Sequence, residues 1–305
     1  MLMGGLLGSS YSKSLVRREE VLSSERGPLT VTVAIAVKNA VSSINRTLDS
    51  VLEQSYVHKT VLVVDGASSD GTLELIRRYS SSILETVTEP DAGVYDGMNK
   101  AVRLAHGDYT LFMNAGDEFN SRVSLEEAAC AIASTMPDIA IGRYLYLDAG
   151  FTALVEPLTM EDRISLLKRR RVRAALSRPI CHQATLTRTA FLRSMGGYDT
   201  NFRLLADQEF LFRSHDTGAT FQYLDVVICR YRFGGLSSDA ITSSAEFLEL
   251  LSNRGYDSRL LRRTLSGGFH AKVKTAARSI IQSVPFLGRL LALRRVSSLR
   301  NTRKR

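Results

Sequence analysis

Several carboxylates of this chain sit in small polar loops, where they could bind a cation or take up a proton. The stretch Glu89 to Phe119, EPDAGVYDGMNKAVRLAHGDYTLFMNAGDEF, runs from one acidic loop through a helix and a strand to a second acidic loop. The second loop, Asn114-Ala115-Gly116-Asp117-Glu118, follows the apolar run Tyr109 to Met113. A buried strand there delivers the loop to the carboxyl edge of a sheet, where open α/β folds bind ligands. Asp117 is therefore a candidate metal ligand. Asp65 opens a similar loop, Asp65-Gly66-Ala67-Ser68-Ser69-Asp70-Gly71-Thr72, and Asp91 lies in a third. Asp207, in Ala206-Asp207-Gln208-Glu209, falls in the first turn of a helix or at its cap, where a carboxylate is favoured. Each has a plainer alternative: Asp65 and Asp70 as turn or cap residues, Asp91 as a helix cap, Tyr95 and Asn99 as packing on one helical face. Among the five histidines only His182, followed by Gln183, stands out, and the others read as structural.

The elements that must position these residues alternate. Thr30 to Val37 is a β-branched run and predicts a buried, parallel strand. Ile44, Leu48, Val51 and Leu52 mark the apolar face of a helix over about 41–54. Thr60 to Val64 is a second buried strand, leading through the Asp65 loop into a helix with Leu73, Leu75 and Ile76. Ser82 to Val87 is a third. Val94, Met98, Ala101, Val102 and Ala105 then recur at helical spacing, and His106-Gly107-Asp108 ends that helix where glycine is usual. A helix from Ser124, a strand near 138–147, a helix opening at Ala206 and a last strand over 221–231 complete the series. The repeated strand, loop and helix predict a doubly wound, mostly parallel α/β sheet flanked by helices. A nucleotide is the default ligand at its carboxyl edge. Gly-x-Gly-x-x-Gly is absent, which disfavours an NAD or FAD enzyme.

Composition narrows the class. A chain of 305 residues can hold one large domain or two small ones. Cys130, Cys181 and Cys229 lie far apart without a Cys-x-x-Cys pair, so neither a disulfide framework nor structural zinc is indicated, and a reducing cytosol fits. The start has its charges after a very short apolar run, the wrong order for a secretory signal, and no stretch approaches a membrane span. The formal charge of +9 is unevenly spread: residues 255–305 hold thirteen Lys or Arg against one Asp, leaving residues 1–254 at −3 by difference. Phe269, Val273, Ala276, Ile280 and Val284, then Phe286 to Leu293, form apolar faces flanked by Lys and Arg, a pattern suited to an anionic membrane surface or to docking on the protein's own body.

Four blocks in order carry a resemblance: VTVAIAVKN at 31–39, VVDGASSDGT at 63–72, DAGVYDGMN with MNAGD, and CHQA at 181–184 followed by GGYDTNFRLLADQEF at 196–210. Over about residues 30–237 the chain resembles the family 2 glycosyltransferases of the GT-A fold, especially those building bacterial exopolysaccharides and glycolipids. The resemblance implies a nucleoside-diphosphate-sugar donor held by Ala36, Asn39, Asp65, Asp91 and Asn99. It implies Mg²⁺ or Mn²⁺ at Asp117, an inverting mechanism with Asp207 as base and Glu209 as its alternate, and an acceptor site including His182, Gln183 and Glu209. Many members carry two adjacent acids where this chain has Asp65-Gly66, and Asp-x-Asp-Asp where it has Asn114-Ala115-Gly116-Asp117. The Gly-Gly segment at Phe233 to Ser237 is expected to cover the donor diphosphate.

The expected organisation is a leader (1–28), a GT-A domain (29–237) and a basic helical region (238–305). Within the domain, 29–123 bind the nucleotide sugar and 124–237 the acceptor. The expected partners are the donor, a lipid-linked or glycolipid acceptor and an anionic membrane reached through the tail, with no nucleic acid. The expected place is cytoplasmic, on the inner face of the cell membrane. A nucleotidyltransferase on a related scaffold, or an adaptor using the Arg-rich tail, are the rivals.

Overall fold

The computed structural model describes residues 27–79, 85–148, 151–234, 240–257 and 259. The β-branched run forms β1 (Val31–Val37), buried along its whole length. Then come α1 (Ile44–Leu52), β2 (Lys59–Asp65), α2 (Thr72–Arg77), β3 (Glu85–Thr88), α3 (Val94–Leu104) and β4 (Tyr109–Phe112). β1 pairs in parallel with β2 and β4, and β2 with β3. Because strand side chains alternate, β1 feeds two cores. Ala34 and Ala36 pack with Met98 and Ala101 of α3, whereas Val33 and Ile35 pack with Ile44, Leu48 and Val51 of α1. Each fully buried aliphatic side chain stabilises this layering by about 1.5–3 kcal/mol.

The second half contains β5 (Glu118–Phe119), α4 (Ser124–Ile132), β6 (Ile139–Asp148), β7 (Phe151–Val155), α5 (Met160–Lys168) and α6 (Val172–Ala175). A 3₁₀ turn (His182–Ala184) leads to β8 (Thr185–Arg188), α7 (Thr189–Ser194), α8 (Ala206–Asp216), β9 (Phe221–Arg232) and α9 (Ala240–Asn253). The sheet order is β3-β2-β1-β4-β8-β6-β9-β5, with β7 on β6.

The sheet is mixed rather than mostly parallel. β8 runs antiparallel to both β4 and β6, as do β5 to β9 and β7 to β6. This reversal positions the site. In an antiparallel pair the start of one strand lies beside the end of the other, so the turn before β8 is brought against the loop after β4.

Two further details differ from the sequence reading. α3 ends at Ala105 in extended conformation, not at Gly107. Gly107 is required for close approach, since a Cβ there would lie 2.5 Å from the Thr32 backbone nitrogen. α9 carries no basic residue and places Phe247, Leu250 and Leu251 in the core with Phe210 and Phe212 of α8, so the packed body continues past residue 237. The leader up to residue 26, the Gly-Gly segment from residue 235 and the amphipathic tail all lie outside the described residues. Among the described residues no helix is long and apolar enough to cross a membrane.

Candidate active site

The loops after β1 to β4 meet at one edge of the sheet. Backbone bonds join them: Gly66 N donates to Val37 O at 2.8 Å and Glu89 N to Asp65 O at 3.0 Å. Asp65 is fully buried at the end of β2. Its Oδ2 accepts from Ser68 N at 3.1 Å, while its buried Oδ1 has no hydrogen-bond partner among the described residues. That free acceptor is what a donor group of a ligand would satisfy. Asn39 and Ala67 both adopt left-handed backbone, with φ of 49° and 59°. Asn tolerates this region, and its Oδ1 here accepts from Ser69 N at 2.9 Å. Asp70 accepts from Val41 N and Thr72 N, each at 3.0 Å, which is the plain turn role.

Asp91 does not cap α3. The N-cap is Gly93, and Ala92 N bonds Asp96 instead. The Asp91 carboxylate lies 3.4 Å from Lys38 Nζ and sits over Gly66, where a Cβ would come 2.0 Å from its Oδ2. A glycine at 66 thus makes room for a carboxylate supplied from the next loop. Ala36 packs its methyl against α3 at Gly97. Asn99 is engaged at both ends of its amide, donating to Tyr198 O and accepting from Tyr198 N at 2.8 Å each, so it clasps the segment before α8.

Asp117 is 5 % exposed. Gln183 Nε2 donates to its Oδ2 at 2.6 Å and Arg232 N to its Oδ1 at 2.8 Å. Burial outweighs these bonds and pushes its carboxyl up to about 6. A buried carboxylate held this way gains from a cation, and each oxygen keeps a lone pair. Among the described residues no cluster of three or more His, Cys, Asp or Glu could hold a metal. One carboxylate fits a hard cation that takes its other ligands from phosphate oxygens and water, as Mg²⁺ commonly does.

Asp207 stands in the first turn of α8. Tyr95 OH reaches its Oδ1 at 3.1 Å and Leu204 O at 2.9 Å, and Gln208 N donates to Oδ1 at 2.8 Å. His182 Nδ1 lies 3.2 Å from Oδ2, with Gln208 Nε2 at 3.3 Å. Burial acts to raise this carboxyl, but the hydrogen bonds from His182, Gln208 and Tyr95 hold it below the ordinary carboxylate value. The ring's other nitrogen, Nε2, is 2.9 Å from Asn114 Nδ2. An amide NH₂ can only donate, so Nε2 accepts and Nδ1–H donates to Asp207. The 3₁₀ turn therefore bridges both sides: His182 links Asn114 to Asp207, and Gln183 holds Asp117. Glu209 is turned elsewhere, held by Arg213 at 3.0 Å, which leaves Asp207 as the open carboxylate of the pair.

Sequence reasoning finds Asp65, Asp91, Asp117, His182, Gln183 and Asp207 at this edge and misses the ties among them. Asn114 registers only as a missing acid. Arg163, fully buried beside Gln208, is missed although its position carries a signal: Met160, Arg163 and Leu167 share the buried face of α5.

Comparison with known proteins gives the family and the fold. The profile of the family described as "Glycosyl transferase family 2" matches residues 32–195. A PGL/p-HBAD biosynthesis glycosyltransferase of Mycobacterium bovis is 30% identical over 225 residues, covering 72% of this chain and 82% of that protein. The mannosyltransferase PcManGT from Pyrobaculum calidifontis, in complex with GDP-Man and Mn²⁺, superposes with a TM-score of 0.58 at 19% identity, over 95% of this chain and 89% of that one. S. aureus TarS 1-349 in complex with UDP gives 0.55 at 20% identity, covering 76% of this chain and 64% of that one.

Proposed function

The chain belongs to glycosyl transferase family 2 and is a glycosyltransferase, and from that premise we propose an inverting transfer of a sugar from a nucleoside diphosphate to a hydroxyl of a lipid-linked saccharide or glycolipid. The observation that carries this reading is the pair of opposed carboxylates joined through one turn, Asp117 on Gln183 and Asp207 on His182. Inversion needs a base on the face of the anomeric carbon opposite the leaving group. Asp207 has the attributes of that base: it is ionised, partly exposed and fixed by its neighbours. The acceptor hydroxyl forms the new bond to the anomeric carbon as its proton passes to Asp207, and the bond to the diphosphate breaks toward the Asp117 side. Asp65 and Asn39 would hold the nucleoside, with Asp91 beside it. Asp117 would hold Mg²⁺ or Mn²⁺ together with the diphosphate, and a bound cation neutralises charge on the departing nucleotide.

The lipid character of the acceptor rests on the relative in PGL/p-HBAD biosynthesis. In this reading the basic tail, outside the described residues, holds the enzyme at the cytoplasmic face of an anionic membrane. A thermal-shift screen of UDP-, GDP- and dTDP-sugars with Mn²⁺ tests donor use. One nucleotide class should raise the melting temperature by several degrees, since a ligand at about 100 times its Kd adds about 2.7 kcal/mol. No shift with any donor, with or without the cation, contradicts the reading.

A further inference from the structure

Arg163 is a buried cation with no carboxylate in contact. It lies on α5 at 1 % exposure, and among the described residues no ion pair reaches it. Its Nη2 donates to Arg178 O at 3.0 Å, its Nη1 to Gln208 Oε1 at 3.3 Å, and its Nε has no partner among the described residues. Burial pushes its titration down to about 10, so it remains charged at neutral pH. A guanidinium in such a place is costly, and an apolar side chain of similar volume is often as stable or more so. Packing therefore does not account for an arginine between Met160 and Leu167.

The arginine acts on an amide whose direction matters. A guanidinium can only donate, so the atom of Gln208 facing it must be the carbonyl oxygen. The NH₂ end is thereby turned the other way, where it donates to Ile180 O at 3.0 Å and to Asp207 Oδ2 at 3.3 Å. A reversed amide would put its oxygen against the carboxylate. We propose that Arg163 is a positioning residue for transfer: acting through Gln208, it orients the Asp207 carboxylate toward the acceptor hydroxyl and keeps an amide donor on its Oδ2. Ile180 belongs to the segment that leads into His182, so the same amide ties α8 to the turn bridging the two carboxylates. This inference rests on the reading of Asp207 as base.

The test measures nucleoside diphosphate release during transfer to octyl β-D-glucopyranoside, using whichever of UDP-glucose, UDP-N-acetylglucosamine and GDP-mannose the wild type turns over. Arg163→Met keeps the volume and is expected to fold with an unchanged melting temperature. Its kcat should fall about tenfold with both KM values within about twofold, the mark of an interaction used in the transition state. Arg163→Lys, which keeps a cationic donor, should recover part of the loss. Gln208→Met should match Arg163→Met, and the double variant should be no slower than either single one, since both interrupt one path. Wild-type kcat in Arg163→Met overturns the proposal, as do losses confined to KM or losses that multiply in the double variant. Asp207→Asn run alongside separates the two readings: an active Asp207→Asn removes the base, whereas an inactive one beside an unimpaired Arg163→Met removes only the role of Arg163.

Discussion

Asp117 and Asp207 are two carboxylates whose surroundings drive them in opposite directions. Asp117 titrates at about 6 in the fold because burial dominates, against roughly 4 in an unfolded chain. The folded protein therefore binds a proton as pH falls through 6, and this group makes the fold more stable toward pH 4 and less stable at neutrality, by roughly 3 kcal/mol. Asp207 has the opposite sign. Its titration is depressed, so its contribution is present above the ordinary carboxylate value and lost as pH falls through the folded one. The first carboxylate is penalised by burial, and the second is held charged by its hydrogen bonds. Asp117→Asn should melt about 5 °C above the wild type at pH 7.5 without ligand, and the difference should halve near pH 5 and vanish below about pH 4. Scanning calorimetry across that range checks this, and equal melting temperatures at pH 7.5 would remove the stored cost assigned to Asp117. Both residues were legible in the sequence because each sits in a small polar loop beside a regular element. Their partners were not, because Tyr95, Asn114 and Arg163 acquire roles only from residues tens of positions away.

At the scale of elements, α9 secures the segment that carries Asp207. The Glu246 carboxylate accepts from three consecutive backbone N–H groups, Arg203 at 2.9 Å, Leu204 at 2.9 Å and Leu205 at 2.9 Å, just ahead of α8. They belong to the segment entering α8, whose N-cap is Leu205, and an anion near a helix start is favoured. Leu204 in turn offers its carbonyl to Tyr95 OH, which also reaches Asp207. Glu246→Ala should cost about 2 kcal/mol by urea unfolding, the range for stranding buried donors, and should slow transfer more than it weakens donor binding. Glu246→Gln keeps an acceptor and should retain most of both. The extent of the family resemblance pointed to a boundary near residue 237, and Lys and Arg concentrate only from residue 255. The apolar positions of α9 and its buried Glu246 are a weaker signal, and only packing against α8 makes them part of the body.

At the scale of the molecule, a parallel half and a mixed half share one sheet, and the seam between them is the β4–β8 pair. The strands of the first half were readable because buried parallel strands are continuous β-branched runs. The reversal of β8 was not, since strand direction is set by a partner more than seventy residues away and leaves no local pattern. Yet that reversal brings Asn114 and Asp117 against His182 and Gln183, and so joins the two sides of the proposed site. The base role proposed for Asp207 requires it to take the acceptor proton across this seam. Transfer and donor affinity measured together in Asp207→Asn decide the matter: transfer should fall at least about a hundredfold, with a donor Kd by titration calorimetry within about threefold of the wild type. Turnover near the wild-type rate in that variant would contradict Asp207 as the base.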